Sequence, residues 1–333
     1  MKQVSLIGTA SYLPETVVEN AFFQVEGAER GAGMFRGSKE RRHVAKGETA
    51  ASMIEKATRR LSDRLGFQPN RDVDILLTNA SCLDMPFTGV GASVAHRLGI
   101  KAPWVLDVHN TGCVSFVYMM SIARALMTSS GAKTALICNV QNAAGRVFRH
   151  EDNLKRAQSA IPGDGCGVGY LVANGESPVL SVVSHCYPEY ADDMSVVSAD
   201  GGEWWAPRRT PLYIDFTEDR VASIVSRGNQ LVPNVVKEAC KAAEIGTERI
   251  DALVTNQPSH IFLRNWREAL QVSKERHIDT FEEHGNLFGA AIPISIERAV
   301  ETGRLKNGDY LALGGFSHAG DYAAAAIVHW HAS

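Results

Sequence analysis

The fold of this chain is decided by a short stretch that occurs twice: residues 74–79 read DILLTN, and residues 251–256 read DALVTN. Each copy follows a segment in which apolar residues recur every three or four positions, which predicts amphipathic helices over 50–65 and 231–243. Apolar runs of this length are typical of buried strands. We therefore predict a helix–strand unit that is present in both halves of the chain.

The correspondence continues around Cys113 in the first half and Asn286 in the second. The matching pieces are the strand WVLDV (104–108) with NTGC (110–113) and an apolar helix over 114–128, HGN (284–286) with a helix over 289–301, the strand pair 134–138 and 310–313, and the strand pair 167–172 and 324–328. Alternating strands and helices predict largely parallel sheets covered on both faces. We expect two pseudo-symmetric halves, 1–175 and 176–333, in an α/β fold of five layers, α/β/α/β/α.

Composition excludes several classes of protein. Hydrophobic residues make up 45% of the 333 residues and charged residues 21%, as in a globular protein, and the net charge of −3 argues against nucleic-acid binding. No apolar run reaches the roughly 18 residues of a membrane span, and the first residues lack the pattern of a signal peptide. The six cysteines form no CxxC pair, so we expect reduced thiols, no metal site and a cytoplasmic location.

Six motifs in order resemble the ketoacyl-ACP synthase III family over nearly the whole chain. They are IGTASYLP (7–14), KERRHVA (39–45), TGCVSF (111–116), GDGCG (163–167), HGN (284–286) and GGF (314–316). The resemblance implies a thiolase fold and a cytoplasmic homodimer. A phosphopantetheine thioester, on coenzyme A or a carrier protein, would enter a tunnel that ends at Cys113. Met85, in the loop 80–89, stands where the family inserts an apolar residue into the partner.

Cys113 is the predicted nucleophile. A cysteine at the start of a helix is expected to have a pKa below the usual value of about 8.5, because the helix dipole favours the thiolate. Gly112 permits a tight turn before it. The backbone N–H groups of Cys113 and of the Gly314-Gly315 turn would form an oxyanion hole for the acyl oxygen.

The chain departs from the family where condensing enzymes carry their catalytic histidine. In the segment TNQPSH (255–260), Asn256 occupies that position. An asparagine donates a hydrogen bond but cannot act as a base. Transfer of the acyl group to a hydroxyl or amine would require a general base, for which His284, His260 and His318 are candidates.

We expect a Cys113–His284–Asp321 triad, because a carboxylate that orients the imidazole improves a base. This set resembles relatives that acylate sugars or aminocyclitols in antibiotic pathways, such as the malonyl transferase of cervimycin biosynthesis. His318 or His260 would be the alternative base, and Asn286 is expected to remain a hydrogen-bond donor in the site.

The donor is expected to be a carrier-protein thioester, with coenzyme A as the alternative. The tryptophan with which the family stacks on adenine is missing from residues 27–37. Carrier proteins are acidic, so a basic rim should dock them. Arg264 matches the family's docking arginine, and Arg36, Lys39, Arg41 and Arg42 would add to the rim. Paired tryptophans, Trp204 and Trp205, with Arg208 and Arg209 nearby, would cap an acceptor pocket or form a dimer contact.

Two functions remain open at this point. The first is transfer of an acyl group from Cys113 to a hydroxyl or amine of a small natural-product acceptor, without a cofactor. The alternative is a carbon–carbon condensing enzyme that starts a polyketide, fatty acid or quinolone. The replacement of histidine by Asn256 favours the first.

Overall fold

The computed structural model describes residues 3–29, 31, 33–205, 210–215 and 218–331, without the side chains of Met34, Glu218 and Asp219. The strands in this part of the chain are β1 (Val4–Tyr12), β2 (Thr16–Glu19), β3 (Glu40–His43), β4 (Ile75–Ala80), β5 (Trp104–Asp107), β6 (Thr134–Gln141), β7 (Gly165–Ala173), β8 (Val179–Cys186), β9 (Ser195–Ser198), β10 (Leu212–Asp215), β11 (Ala252–Thr255), β12 (His277–Ile278), β13 (Tyr310–Ser317) and β14 (Tyr322–His329). The helices are α1 (Ala50–Leu65), α2 (Pro69–Asp72), α3 (Gly91–Leu98), α4 (Ser115–Ser130), α5 (Ala157–Ala160), α6 (Glu218–Ala242), α7 (His260–Ala269), α8 (Phe281–His284) and α9 (Ala291–Glu301).

Two five-stranded sheets have the same topology, in the orders β1-β7-β6-β4-β5 and β8-β14-β13-β11-β12. In both, the first two pairings are antiparallel and the last two are parallel. The repeated sequence forms the equivalent strands β4 and β11, which confirms the predicted duplication. The boundary between the halves at residue 175 stays a prediction, although β8 already belongs to the second sheet.

The prediction of largely parallel sheets is wrong, because half of the pairings in each sheet are antiparallel. The reason is local: β13 and β14 are joined by only four residues, 318–321, between the paired residues Ser317 and Tyr322. So short a connection makes a hairpin, whereas a parallel neighbour requires a crossover of a dozen residues or more.

The layers follow from where each helix buries its apolar face. Helices α1 and α3 pack on the outer face of the first sheet, and α6 and α7 pack on the outer face of the second. Between the sheets lie α4 and α9, whose fully buried residues include Phe116, Met120 and Ile296. The five-layered thiolase fold that the sequence predicted is therefore confirmed.

Predicted helix boundaries differ mainly in the second half. Helix α1 matches its prediction, and its ends are marked by a capping box at Thr49 and by a left-handed Gly66. Helix α6 begins well before the predicted residue 231 and continues through Pro233. Its residue Arg227 reaches the β13–β14 connection, which matters for the site.

By length and composition, one described helical stretch could span a membrane: Gly112–Ser130, which contains α4. Its residues Val114, Phe116 and Met119 are fully buried in the core between the sheets. Burial against two sheets accounts for the apolar character of this stretch.

Candidate active site

The nucleophile lies on a tight turn between the first sheet and the central helix. Gly112, Cys113 and Val114 form one 3-10 turn, after which α4 begins at Ser115. Gly112 has a φ of +38°, in the left-handed region that favours glycine. A Cβ on Gly112 would also stand 2.8 Å from Nε2 of His318. Glycine is thus required both for the turn and for the approach of this imidazole.

The thiol of Cys113 is held in its protonated form. Burial raises its pKa to about 12, even though the residue keeps partial exposure to the cavity described below. Hydrogen bonds from the Asn256 side chain and from the backbone N–H of His318 act in the opposite direction, and the charge of Asp321 adds to the rise. Burial thus opposes the lowering of the pKa that is expected at a helix start, and a base beside Cys113 would help to form the thiolate.

A histidine and a carboxylate share the connection between β13 and β14. Nδ1 of His318 lies 2.9 and 3.0 Å from the two carboxylate oxygens of Asp321. A carboxylate only accepts hydrogen bonds, so Nδ1 carries the proton and Nε2 of a neutral ring is left as an acceptor. His318 adopts a φ of +48°, a conformation that non-glycine residues adopt rarely and that occurs often at functional sites.

Two hydrogen bonds of the Ser317 hydroxyl connect the β13–β14 hairpin to the turn that carries Cys113. Its hydroxyl donates to the carbonyl of Thr111 and accepts from the N–H of Val114 at 3.3 Å. Both partners belong to the residues that flank Gly112 and Cys113. The hairpin and the turn consequently form one rigid unit, and His318 is held against Gly112.

Asn256 follows β11 and faces the nucleophile, in the position that the sequence assigned to it. Its Nδ2 donates to the carbonyl of Phe316 at 3.0 Å, and its Oδ1 accepts from the N–H of the same residue at 3.4 Å. These bonds orient the amide so that it also reaches the Cys113 thiol. Asn256 is buried and borders the cavity described below.

The structure does not bring His284 to Asp321. His284 ends α8 and is buried, and its Nδ1 donates to the carbonyl of its neighbour Glu283 at 2.8 Å. Burial is the main cause that lowers the pKa of this imidazole. The carboxylate of Asp321 bonds to His318 instead, so the expected Cys113–His284–Asp321 set is not assembled as predicted.

The remaining predicted site residues are Asn286, which was expected to donate a hydrogen bond, and Gly314 and Gly315, which were expected to form part of the oxyanion hole. Asn286 borders the cavity, and its Oδ1 accepts from Phe288 N–H at 3.0 Å. Gly314 and Gly315 lie within β13, where Gly314 accepts from Asn256 N–H at 3.2 Å. The backbone N–H that reaches the Cys113 thiol from this strand's end belongs to His318. No signal in the sequence pointed to this contact between the His318 N–H and the Cys113 thiol.

A cavity of about 520 Å³ opens beside Cys113. Its walls come from both halves, since Asn79, Asn256 and His318 all border it together with Gly112 and Cys113. The apolar part of the wall includes Phe148, Ile161, Val196, Leu212, Phe262 and Phe316. Strands β9 and β10 pair antiparallel, and Val196 and Leu212 place this pair in the wall of the cavity.

Two of the predicted basic residues, Arg36 and Arg264, lie near the start of α7. Arg36 and Arg264 are exposed, and together with Arg267 they act on His260, whose pKa is lowered chiefly by burial and then by these charges. His260 packs against Gly37 and is not among the residues that border the cavity. Arg42 is half-buried and donates to the carbonyl of Glu15 at 3.3 Å.

Arg41 is a correction to the predicted basic rim. It is fully buried and bonds to Oδ1 of Asn20 at 2.8 Å and to the Ser38 hydroxyl at 3.1 Å. Its guanidinium also packs on the rings of Phe23 and Phe35. Since Phe35 is buried beneath it, the only aromatic residue of 27–37 does not stack on a ligand.

The loop after β4 carries apolar side chains on the surface. Met85 is 61% exposed, and Phe87, with a φ of +72°, is fully exposed. Beside this loop lies β5, the edge strand of the first sheet, with Trp104 and Leu106 partly exposed. Trp204 and Trp205 are also exposed and meet edge to face, whereas Arg208 and Arg209 lie outside the described residues.

No group of three or more histidine, cysteine or acidic side chains that could hold a metal ion occurs within the ranges described by the structure. The fold and the cysteine at the start of its central helix define a thiolase-fold protein.

Comparison with known proteins identifies the family within the thiolase fold to which the chain belongs. Residues 106–188 match the family model of 3-oxoacyl-[acyl-carrier-protein (ACP)] synthase III, and residues 240–330 match the model of its C-terminal part. Together the two matches include more than half of the chain. The chain belongs to the 3-oxoacyl-ACP synthase III family.

Individual relatives are similar along their whole length. The beta-ketoacyl-ACP synthase III of Alkalilimnicola ehrlichii is 25% identical over 329 residues, which is 98% of this chain and 99% of the relative. The enzyme of the same name from Citrobacter koseri is 26% identical over 313 residues, or 93% and 95% of the two chains.

Solved structures agree with the fold. The 3-oxoacyl-ACP synthase III of Thermus thermophilus superimposes with a TM-score of 0.84 at 25% identity, covering 99% of this chain and 100% of that one. The priming beta-ketosynthase of the R1128 polyketide pathway gives a TM-score of 0.84 at 21% identity, covering 98% and 96%.

Proposed function

We propose that the protein is an acyltransferase that moves an acyl group from a carrier-protein or coenzyme A thioester, through acyl-Cys113, to a hydroxyl or amine of a small acceptor. The observation that carries the proposal is the pair of His318 and Asp321. Its Nδ1–carboxylate contact measures 2.9 Å, and its Nε2 lies against Gly112, next to the nucleophile. An imidazole oriented by a carboxylate beside a thiol is the arrangement of an acyl-transfer base.

In the first step, Nε2 of His318 takes the proton of the Cys113 thiol. This transfer is needed because the raised pKa of the thiol leaves little thiolate at neutral pH. The sulfur attacks the thioester carbonyl, and the bond between that carbonyl and the donor sulfur breaks. The proton on the imidazole passes to the leaving phosphopantetheine thiolate, and Asp321 stabilises the imidazolium in between.

In the second step, the acceptor takes the place of the phosphopantetheine. Nε2 of His318 removes the proton from the acceptor's hydroxyl or amine as its oxygen or nitrogen attacks the acyl-Cys113 carbonyl. The bond to Sγ then breaks, and the proton returns to the Cys113 thiolate. The backbone N–H of Cys113 remains a candidate donor to the oxyanion, and the N–H of His318 and the Asn256 amide, which both act on the Cys113 sulfur, are further candidates.

A second candidate, decarboxylating carbon–carbon condensation, is favoured by two observations. The relatives above carry the name beta-ketoacyl synthase. In addition, the side chains of Asn256 and Asn286 both border the cavity, and two amide donors could hold an enolate oxygen. Against it stands the pairing of His318 with a carboxylate, which makes the imidazole a base rather than a neutral donor.

We also propose a homodimer and a carrier-protein partner. The unpaired edge of β5 and the exposed Met85 and Phe87 beside it would be covered by a second copy, because exposed apolar strand edges are otherwise prone to aggregation. Arg36 and Arg264 form the basic surface on which an acidic carrier would dock. Sedimentation of the chain as a monomer at micromolar concentration would contradict the dimer.

The experiment that separates the two functions uses one enzyme preparation and two donors. With octanoyl-carrier protein, intact-mass spectrometry should show an octanoyl group on Cys113. Glucosamine, which offers hydroxyls and an amine as acceptor groups, should then remove this group and form octanoyl-glucosamine. With malonyl-carrier protein added, carbon dioxide release should stay at the background of Cys113→Ala. Rapid carbon dioxide release with a β-ketoacyl product, and no acyl-glucosamine, would assign the condensing function instead.

A further inference from the structure

Arg227 of α6 lies at a junction of three elements that the proposed chemistry does not use directly. Its Nη1 donates to the carbonyl of Ala319, which stands between His318 and Asp321 in the β13–β14 connection. Its Nη2 lies 2.8 Å from a carboxylate oxygen of Asp193. Its guanidinium also covers the ring of Tyr190, 3.4 Å from the ring centre.

The helix is held close to this connection by its own packing. A Cβ on Gly228 would stand 2.8 Å from Phe262 and 2.9 Å from Phe316, so α6 approaches both rings closely. On the other side, a Cβ on Gly320 would stand 2.6 Å from Cδ of Arg227. The side chain of Arg227 therefore packs closely between α6 and the tip of the β13–β14 hairpin.

The third element is the segment 188–193, which leads into the wall of the cavity. Tyr187, just before it, donates its N–H to the carbonyl of Asp321 at 2.7 Å, and Met194, just after it, borders the cavity. Tyr190 and Asp193 within it are the two residues that contact Arg227. The same guanidinium thus joins the catalytic tip to the segment that shapes the substrate wall.

We propose that Arg227 is a positioning residue that holds Ala319, and with it the His318–Asp321 pair, in the register at which Nε2 meets the nucleophile turn. This inference rests on the proposed role of His318. His318 keeps a left-handed backbone conformation that is costly for a residue with a side chain, so an external contact is needed to maintain it. A planar guanidinium satisfies Ala319, Asp193 and the Tyr190 face at once, which the single ammonium of a lysine cannot do.

The test uses three variants and measures acyl transfer separately from folding. Arg227→Met and Arg227→Lys remove or reduce the three contacts. Arg220→Met is the matched control, because Arg220 binds the carbonyl of Asp192 and lies 4.0 Å from the carboxylate of Asp193 in the same segment, whereas the bond to Ala319 in the hairpin tip comes from Arg227. Each enzyme is first loaded with octanoyl from its carrier protein, and the loss of acyl-Cys113 to glucosamine is then followed by mass spectrometry.

We expect Arg227→Met to transfer at least tenfold more slowly than wild type, Arg227→Lys to fall in between, and Arg220→Met to stay within twofold. The KM for glucosamine and the urea midpoint of Arg227→Lys should match those of Arg220→Met. A purely structural role of Arg227 would instead change the KM or the urea midpoint together with the transfer rate. Wild-type transfer by Arg227→Lys would overturn the inference, as would equal losses in Arg227→Lys and Arg220→Met. A wild-type rate in His318→Ala would instead remove the proposed function itself, so the two failures are distinguishable.

Discussion

At the scale of single residues, the proposed proton transfer depends on the close approach of His318 to Gly112. Gly112→Ala places a methyl group 2.8 Å from Nε2 and forces an alanine to a φ of +38°. We predict that this variant loses acyl transfer by at least tenfold, because the imidazole must move away from the turn. Transfer from the loaded enzyme to glucosamine is the measurement.

The control for this variant is Gly131→Ala. Gly131 also has a positive φ, of +76°, but nothing lies within 4 Å of a Cβ at this position. Both substitutions carry a backbone cost of about 1 kcal/mol, so their thermal stabilities should fall together. An equal loss of transfer in the two variants would show that backbone strain, rather than contact with His318, is responsible.

At the scale of elements, the β13–β14 hairpin explains why sequence reasoning chose a different base. The sequence suggested Asp321 as the orienting carboxylate and left His318 as an alternative base. The spacing His318-x-x-Asp321 within four connecting residues is the signal that favours their pairing, since the ends of so short a turn meet. His284 was expected to be the base that Asp321 orients, but its side chain at the end of α8 bonds to the carbonyl of Glu283, a direction that tertiary packing decides.

The contacts of Arg227 had no signal in the sequence. They depend on how α6, the hairpin tip and the segment 188–193 meet, and those three elements are distant along the chain. The raised pKa of Cys113 was missed for a related reason. The helix start predicts a stabilised thiolate, but the desolvation that outweighs it comes from residues of both halves packed around the turn.

At the scale of the whole molecule, the duplication could be predicted because each half must bury the same interior strand, β4 or β11, and the same core helix. The apolar pattern of 74–79 and 251–256 indicates such a buried strand in each half. The direction of the neighbouring strands was not readable from it, because the pattern of a buried strand does not reveal whether its partner returns through a hairpin or a crossover.

The stability of the whole fold should depend on His43 under acidic conditions. This residue is buried, and burial, followed by the charges of Arg149 and Arg41, lowers its pKa from 6.5 to about 3. Because the folded pKa is depressed, the neutral ring contributes stability above about pH 6.5, and that contribution is lost as the pH falls toward 3. Both ring nitrogens are without a hydrogen-bond partner among the described residues, so a phenylalanine would forgo no such bond.

His43→Phe should therefore weaken the dependence of the free energy of unfolding on pH between 6.5 and 3. The slope should fall by up to about 1.4 kcal/mol per pH unit, the value for one proton. Urea unfolding at several pH values measures it, with the exposed His96→Gln as the control. A slope identical to that of wild type would mean that His43 does not resist protonation in the folded protein.

The central claim, that His318 rather than His284 is the base that serves Cys113, is tested most directly by a single-turnover comparison. His318→Ala and His284→Ala are loaded with octanoyl by prolonged incubation, and the loss of acyl-Cys113 to glucosamine is timed by mass spectrometry. General-base catalysis is typically worth about 10²–10⁴-fold, so His318→Ala should retain the acyl group for at least a hundred times longer than wild type. His284→Ala should transfer within about threefold of it. Stalled transfer in His284→Ala with a normal rate in His318→Ala would contradict the account and restore the base that the sequence suggested.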